Sequence, residues 1–359
     1  MNSKQYSTGR FFEDFRLGEE IIHPTPRTLT EGDASLYIAL TGSRFILHCA
    51  QPVAHALGYT NKTIDDLLAF HIAFGKTVPD ISVNAVANLG YAEVKFIEPV
   101  YSGDTLHTAS TVIGLKENTS RKTGIVYVRS VSRNQNNREV LSWIRWVMVH
   151  KKDSDSPASD TFIPDIKSKV SVEDLPIYGS LDANAFDTLV TGSTKLWDDF
   201  SVGERIDHPS GMTVDDSDHT LATKLYQNNA KLHFDDFMMK DSQFARRLMY
   251  GGHVISICRA LSYDGLENAI AILAINAGTH SNPSFGGDTF YCWNEVIEKW
   301  EIPGRMDVGA LRLRMIGVKN VLPKNLKDPF EHTQGKKNYH PNVVLDLDYT
   351  VMMPRKTNQ

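Results

Sequence analysis

Two kinds of apolar spacing run along the chain, and they occur twice in the same order. Asp65 and Asp66 precede Leu67, Leu68, Phe70, Ile72 and Phe74. That stretch is too dense in apolar residues for a helix with one wet side, so residues 65–75 are predicted as a helix buried nearly all round. Residues 32–40 are predicted as a shorter helix before it. Runs with strand character follow at 91–97, 105–114, 123–133 and 139–149. Asn134, Gln135, Asn136 and Asn137 separate the last two and predict a hairpin loop. In the second half, Val254, Ile255, Ile257, Cys258 and Leu261 form a wide apolar face, which predicts a helix over 252–261. Strands are predicted after it at 269–276, 287–296, 310–318 and 339–352. A helix followed by antiparallel strands in series is α+β order, not alternating βαβ.

The recurrence is a tandem duplication. Phe15-Arg16-Leu17-Gly18-Glu19 returns as Phe200-Ser201-Val202-Gly203-Glu204, 185 residues later. Asp33 and His48 meet Asp218 and His233 at the same spacing, and Gly103-Asp104-Thr105 meets Gly287-Asp288-Thr289 at 184. One register held across separated blocks marks a repeat. Residues 1–152 and 194–359 are therefore expected to be two domains of one kind, each a long helix wrapped by a curved antiparallel sheet. Residues 153–193 are expected to link them across the surface, because Asp153-Ser154-Asp155-Ser156-Pro157 is small, polar and turn-forming. The tail after Pro354 is expected to be disordered.

Composition narrows the function classes. The 359 residues are 41% apolar and 23% charged, enough for a sizeable core. No apolar run reaches the roughly 18 residues of a membrane-crossing helix. Met1 to Phe15 is polar and charged, without the apolar centre of a secretory signal, so a cytoplasmic protein is expected. A formal net charge of -5 disfavours a dedicated nucleic-acid binder. Cys49, Cys258 and Cys292 are too few and too scattered for a disulfide framework or a zinc site. No metal and no other cofactor is expected, and a homo-oligomer is.

The most informative strings surround the repeated histidine. Leu225-Tyr226-Gln227-Asn228-Asn229-Ala230-Lys231-Leu232-His233 has its counterpart in Leu40-Thr41-Gly42-Ser43-Arg44-Phe45-Ile46-Leu47-His48. Both resemble, in degraded form, the Gly-Asp-x-Asn-Pro-x-His signature of the MaoC-like hotdog dehydratases. The signature's Asp falls on Ser43 and on Asn228, and its His survives as His48 and His233. The strings at 225–234, 246–256 and 74–82 resemble the mesaconyl-CoA hydratase branch of that family. The resemblance implies tandem hotdog folds, a coenzyme A thioester substrate, and reversible addition of water to a branched C4-dicarboxylic enoyl group.

Hydrating an enoyl thioester needs a base for water, an acid for the α-carbon, and stabilisation of the thioester oxygen as it gains charge. An imidazole suits the first task, which makes His233 the main titrating candidate. Asn228 is no base near neutral pH, but its amide can orient water or substrate. The resemblance places the oxyanion donors at the start of the second buried helix. There Gly251 and Gly252 leave backbone N–H groups approachable at a positive helix end. His233, Asn228 and Gly252 are thus the catalytic candidates. Gly251, Tyr226, Asp235 and Arg44 are the substrate-binding candidates, with Asp235 also a tuning neighbour of His233. Arg44 is the choice for the substrate's distal carboxylate, with Arg246, Arg247 and Lys76 as further cations. The neighbours of His48 are apolar and no acid follows it closely, so the first copy is read as the non-catalytic one. His280 is read as a turn residue and His253 as buried structure. A fatty enoyl-CoA hydratase, a hotdog thioesterase and a non-catalytic acyl-CoA binder are the alternatives.

Overall fold

Runs rich in Val, Ile, Thr and aromatic residues form long strands that join into one antiparallel sheet through both copies. The structure is a computed structural model that describes residues 9–157, 160–333 and 336–356. The first copy supplies β1 (Glu20–Ile22), β2 (Arg27–Thr28), β3 (Ala85–Phe96), β4 (Thr105–Glu117), β5 (Thr123–Arg133) and β6 (Glu139–His150). The second supplies β7 (Arg205–Asp207), β8 (Met212–Thr213), β9 (Ala271–Thr279), β10 (Thr289–Glu301) and β11 (Val308–Lys319). After a small hairpin of β12 (Phe330–Thr333) and β13 (Lys336–Tyr339) it closes with β14 (Val343–Pro354). The strand order is β1-β4-β5-β6-β3-β9-β14-β11-β10-β7, which reads as one copy and its mirror image in order. At the central seam Ala92 lies opposite Ala277 and Lys95 opposite Ala274. The part of β3 before Ala92 pairs only with β6, so the sheet parts at that end of the seam.

Helices line the inside of each curved sheet. The first copy carries α1 (Glu31–Thr41), the short α2 (Ile46–Cys49) and α3 (Gln51–Ala56), and the long α4 (Asp66–Ile81). The second carries α5 (Asp216–Leu225), the short α6 (Asp236–Met239) and α7 (Gly251–Leu261). Every residue of α7 after Gly251 is buried, and α4 is buried from Leu67 to Val78. His71 of α4 and Ser256 of α7, 185 residues apart, meet in a 3.0 Å hydrogen bond, so the copies touch at equivalent positions. This is the tandem hotdog architecture that the resemblance implied, in the α+β class that the element order predicted.

Several boundaries differ from expectation, each for a physical reason. α4 runs six residues past Gly75, because the second copy covers this stretch, where Gln227 engages the buried Lys76, a tertiary effect. A Cβ on Gly75 would lie 2.1 Å from the Tyr226 carbonyl oxygen, so glycine here lets the second copy's loop sit on the helix. The single strand expected over 339–352 is divided: Tyr339 ends β13, and β14 begins after Pro341, which lacks the amide a strand ladder needs. The segment after residue 160 is no mere surface crossing. Val170, Leu175, Leu181 and Ala183 are buried with Leu47, Leu57 and Tyr59, and Tyr178 stacks on Tyr59. Of the expected loose tail, Arg355 and Lys356 are held by backbone bonds to Asp307 and Asp198, and the remainder lies outside the described residues. Part of the expected linker, Ala158 and Ser159, and the first eight residues lie outside them too. Among the described residues no helix is long and apolar enough to cross a membrane, and no cluster of His, Cys, Asp or Glu could hold a metal ion.

Candidate functional site

The two copies treat the start of the buried helix in opposite ways. In the first, Asp65 is the N-cap of α4 and its carboxylate accepts the Leu67 N–H at 3.0 Å, which closes the helix end. Its other oxygen accepts the Ser43 hydroxyl at 3.1 Å and lies 3.9 Å from Nε2 of His48. An acid does therefore stand beside His48, brought there from seventeen residues on rather than from the adjacent sequence. In the second copy, Tyr250 occupies the Asp65 position and makes no side-chain cap. Gly251 and Gly252 follow where Asp66 and Leu67 stand in the first copy. The positive end of α7 is left without a carboxylate, as an anion-binding helix end requires.

His233 lies beside that open end. Its ring is 5.5 Å from the Tyr250 ring, centroid to centroid, and only 8% of the residue is exposed. Nδ1 lies 2.8 Å from the Leu248 carbonyl oxygen. A carbonyl only accepts, so Nδ1 carries the hydrogen and Nε2 keeps a lone pair. Nε2 has no hydrogen-bond partner among the described residues, and it is not one of the partnerless atoms sealed from solvent. It therefore keeps some contact with solvent. Burial lowers the pKa of His233 to about 4, outweighing the opposing effect of the Leu248 bond, so the ring is neutral at pH 7.

Asn228 is buried, and its side-chain oxygen accepts the Ala230 N–H at 3.0 Å. That bond fixes the amide and leaves its NH2 group to donate. His280 comes to the same place from the end of β9. A Cβ on Gly251 would fall 2.6 Å from its ring, and the Tyr91 hydroxyl of β3 lies 3.4 Å from its Nε2. His280 is solvent-exposed by surface, yet protein around it lowers its pKa to about 4 by desolvation. A residue in both conditions lines a recessed cleft. It is not the simple turn residue the sequence suggested. Tyr91 and the α4 side chain Phe74, 6.3 Å from the Tyr250 ring, belong to the first copy, so the cleft is built by both.

Three expected participants, Arg44, Tyr226 and Asp235, are placed differently. Arg44 is over half exposed, pairs with Asp264 at 2.7 Å and stacks on Tyr263, past the far end of α7. Its charge is already answered there, and it does not join His233. Tyr226 is fully buried; its hydroxyl lies 3.3 Å from Nδ1 of His253, and its ring packs on His71 and Tyr250. It has no surface to offer a substrate and serves as the floor. Asp235 spends its carboxylate on capping α6, accepting the Met238 N–H. Of the alternative cations, Lys76 is engaged by Gln227 and Arg247 by Thr220 and Asp216. The contact of His233 with Tyr250 joins residues seventeen apart through a loop, and the wall from β3 depends on the packing of one copy against the other; neither leaves a local trace in the sequence.

The whole chain has close relatives. The family model described as Mesaconyl-CoA hydratase matches residues 2–321. The chain is 52% identical over 99% of its length to a beta-methylmalyl-CoA dehydratase of Chloroflexus aurantiacus, covering 99% of that protein. It is 49% identical over 97% of its length to a mesaconyl-CoA hydratase of Cereibacter sphaeroides, covering 99% of it. A solved MaoC domain protein dehydratase from Chloroflexus aurantiacus superposes with a TM-score of 0.94 over 99% of this chain and 100% of that one, at 52% identity.

Proposed function

The chain belongs to the mesaconyl-CoA hydratase family, and from that premise we propose that it reversibly hydrates mesaconyl-CoA to β-methylmalyl-CoA. One observation carries the assignment of the chemistry to the second copy: an uncapped, glycine-lined helix start beside an imidazole whose Nε2 is free.

In this reading the substrate's thioester oxygen rests against the backbone N–H groups at the start of α7, near Gly251 and Gly252. His233 Nε2 takes a proton from water as the oxygen of that water bonds to the β-carbon. Charge then gathers on the thioester oxygen, where the helix end stabilises it. The nascent negative charge also raises the proton affinity of the imidazole beside it. The imidazolium returns its proton to the α-carbon, so the elements of water are added and His233 is restored. Asn228 donates its amide hydrogens to the attacking water. Nothing leaves the acyl group, and the thioester stays intact.

Incubation with mesaconyl-CoA tests this directly. Enoyl absorbance is expected to fall while the product gains the mass of one water. Release of free coenzyme A thiol instead would mark a thioesterase, and an unaltered substrate would end the proposal.

The first copy is the structural partner in this scheme. Its helix end is occupied by the Asp65 carboxylate, which takes the Leu67 N–H and repels the negative charge a thioester oxygen gains. Asp65→Ala is accordingly expected to lower stability by about 2 kcal/mol, because a helix cap and a buried charge partner are lost. Urea unfolding reads that change, while kcat/KM stays within about twofold of the parent. A loss of turnover without loss of stability would place chemistry in the first copy.

A further inference from the structure

Arg145 of β6 is an ionisable group buried without an answer. The residue is 0% exposed, and its Nε and Nη1 atoms are sealed from solvent with no hydrogen-bond partner among the described residues. Among the described residues Nη2 meets only the Thr77 carbonyl oxygen, at 3.4 Å. The guanidinium lies 4.4 Å from the centre of the Phe74 ring. Tyr250 is the one titratable group that favours its charged form; no carboxylate does so. A cation in this state costs several kcal/mol of desolvation, which folding alone gives no reason to keep.

The duplication shows what is missing. Sheet register makes Tyr349 the second-copy equivalent of Arg145: Arg145 lies opposite Tyr91 and Val128, and Tyr349 lies opposite Ile275 and Leu313. On the helices, Phe74 of α4 corresponds to Arg259 of α7. Each copy thus keeps one arginine and one aromatic ring, with the positions exchanged. Arg259 faces the closed helix end of the first copy, where Asp65 and Asp66 favour its charged form. Arg145 lies near the open helix end of the second copy, where Tyr250 and Gly251 stand in place of those two aspartates. The closed site holds two carboxylates within the field of its buried arginine. The open site holds none.

We propose that Arg145 receives the free carboxylate of the dicarboxylic acyl substrate, and so selects it over acyl groups ending in a methyl. This rests on the reading of the substrate given above. A guanidinium offers two unused N–H directions to a carboxylate, and the pair forms out of water, where its attraction is strong. Because the group is sealed at rest, the Phe74 ring must turn aside to admit the carboxylate. The apolar cover keeps water from competing for the cation in the meantime.

Two unreactive thioesters separate the possibilities: succinyl-CoA, with a free carboxylate, and butyryl-CoA, without one. Calorimetric Kd values are measured on the parent, Arg145→Met and Arg145→Lys. Arg145→Met is expected to bind succinyl-CoA about 100-fold more weakly and butyryl-CoA within twofold of the parent. Arg145→Lys recovers part of the succinyl-CoA affinity. The melting temperature of Arg145→Met is expected to equal or exceed that of the parent, since removing an unpaired buried charge relieves a penalty. Equal weakening for both thioesters overturns the proposal, and so does an Arg145→Met chain that no longer folds. If the parent fails to hydrate mesaconyl-CoA but shows the Kd contrast, the reaction is wrong and the carboxylate site stands.

Discussion

Replacing His233 by alanine is expected to lower kcat/KM for mesaconyl-CoA by about 10³-fold, within the range that general acid–base groups contribute. The expectation rests on the tautomer that the fold imposes. Leu248 binds the Nδ1 hydrogen, so Nε2 is the basic atom, and no other described group competes for it. His48→Ala is the internal control. That ring bonds the Thr63 hydroxyl through Nδ1 at 2.9 Å and has Asp65 near its other nitrogen, in a helix end already closed. Its loss is expected to change kcat/KM less than about fivefold. Comparable losses in the two variants would mean that the copies share the chemistry.

The same residue sets an acid limit. Burial lowers the His233 pKa from an ordinary 6.5 to about 4. The base is therefore in its active, neutral form throughout the neutral range, and kcat/KM falls only as the pH drops through about 4. Stability is lost over a neighbouring interval. The unfolded chain takes up protons on its histidines near pH 6.5, whereas the desolvated rings of His233, His280, His71 and His253 take them up only near pH 3 to 4. Stability from these groups is full above pH 6.5 and declines as the pH falls toward 4. Circular dichroism at each pH separates the two effects. An acid limb near pH 6.5 in folded protein would show that His233 is not the group being titrated.

How far the sequence carried this picture depends on the distance over which each feature is determined. The buried helices were legible because their apolar density is local: Leu67 to Phe74 and Val254 to Leu261 have nowhere to sit except a core. The duplication was legible in offsets, and the candidate histidine with it. The end of α4 was not, because Gly75 and Lys76 look like a stop until the second copy covers them. Arg44 was chosen for its place in a string, and packing took it to the far end of α7. Arg145 carries a local signal. Leu141, Trp143, Arg145, Val147 and Val149 alternate along β6, and all five are buried. Period two alone puts a guanidinium on the core face, and an arginine there calls for an explanation. The contact of Asp65 with His48 and the wall that Tyr91 gives to the cleft are tertiary facts without local trace.

Gly251→Ala is expected to cost about 10²-fold in kcat while leaving the fold intact. The backbone of Gly251 has no positive φ, so alanine can take its conformation, and a helix gains from the exchange by roughly 0.5–1 kcal/mol where nothing is struck. Here something is struck: the added Cβ falls 2.6 to 2.8 Å from three atoms of the His280 ring, which must move. The methyl also stands at the helix end where the thioester oxygen is to be held, and removing one such donor interaction commonly costs 10² to 10³ in rate. The two causes are separable. In Gly251→Ala/His280→Ala the ring is gone and the crowding with it. If the methyl obstructs the thioester oxygen, the double variant stays as slow as Gly251→Ala, and its loss lies in kcat more than in KM. If crowding of His280 alone is responsible, the double variant recovers to the level of His280→Ala. Full activity in Gly251→Ala would mean that the substrate does not use this end of α7, and the assignment of the oxyanion site would fall while that of His233 remained.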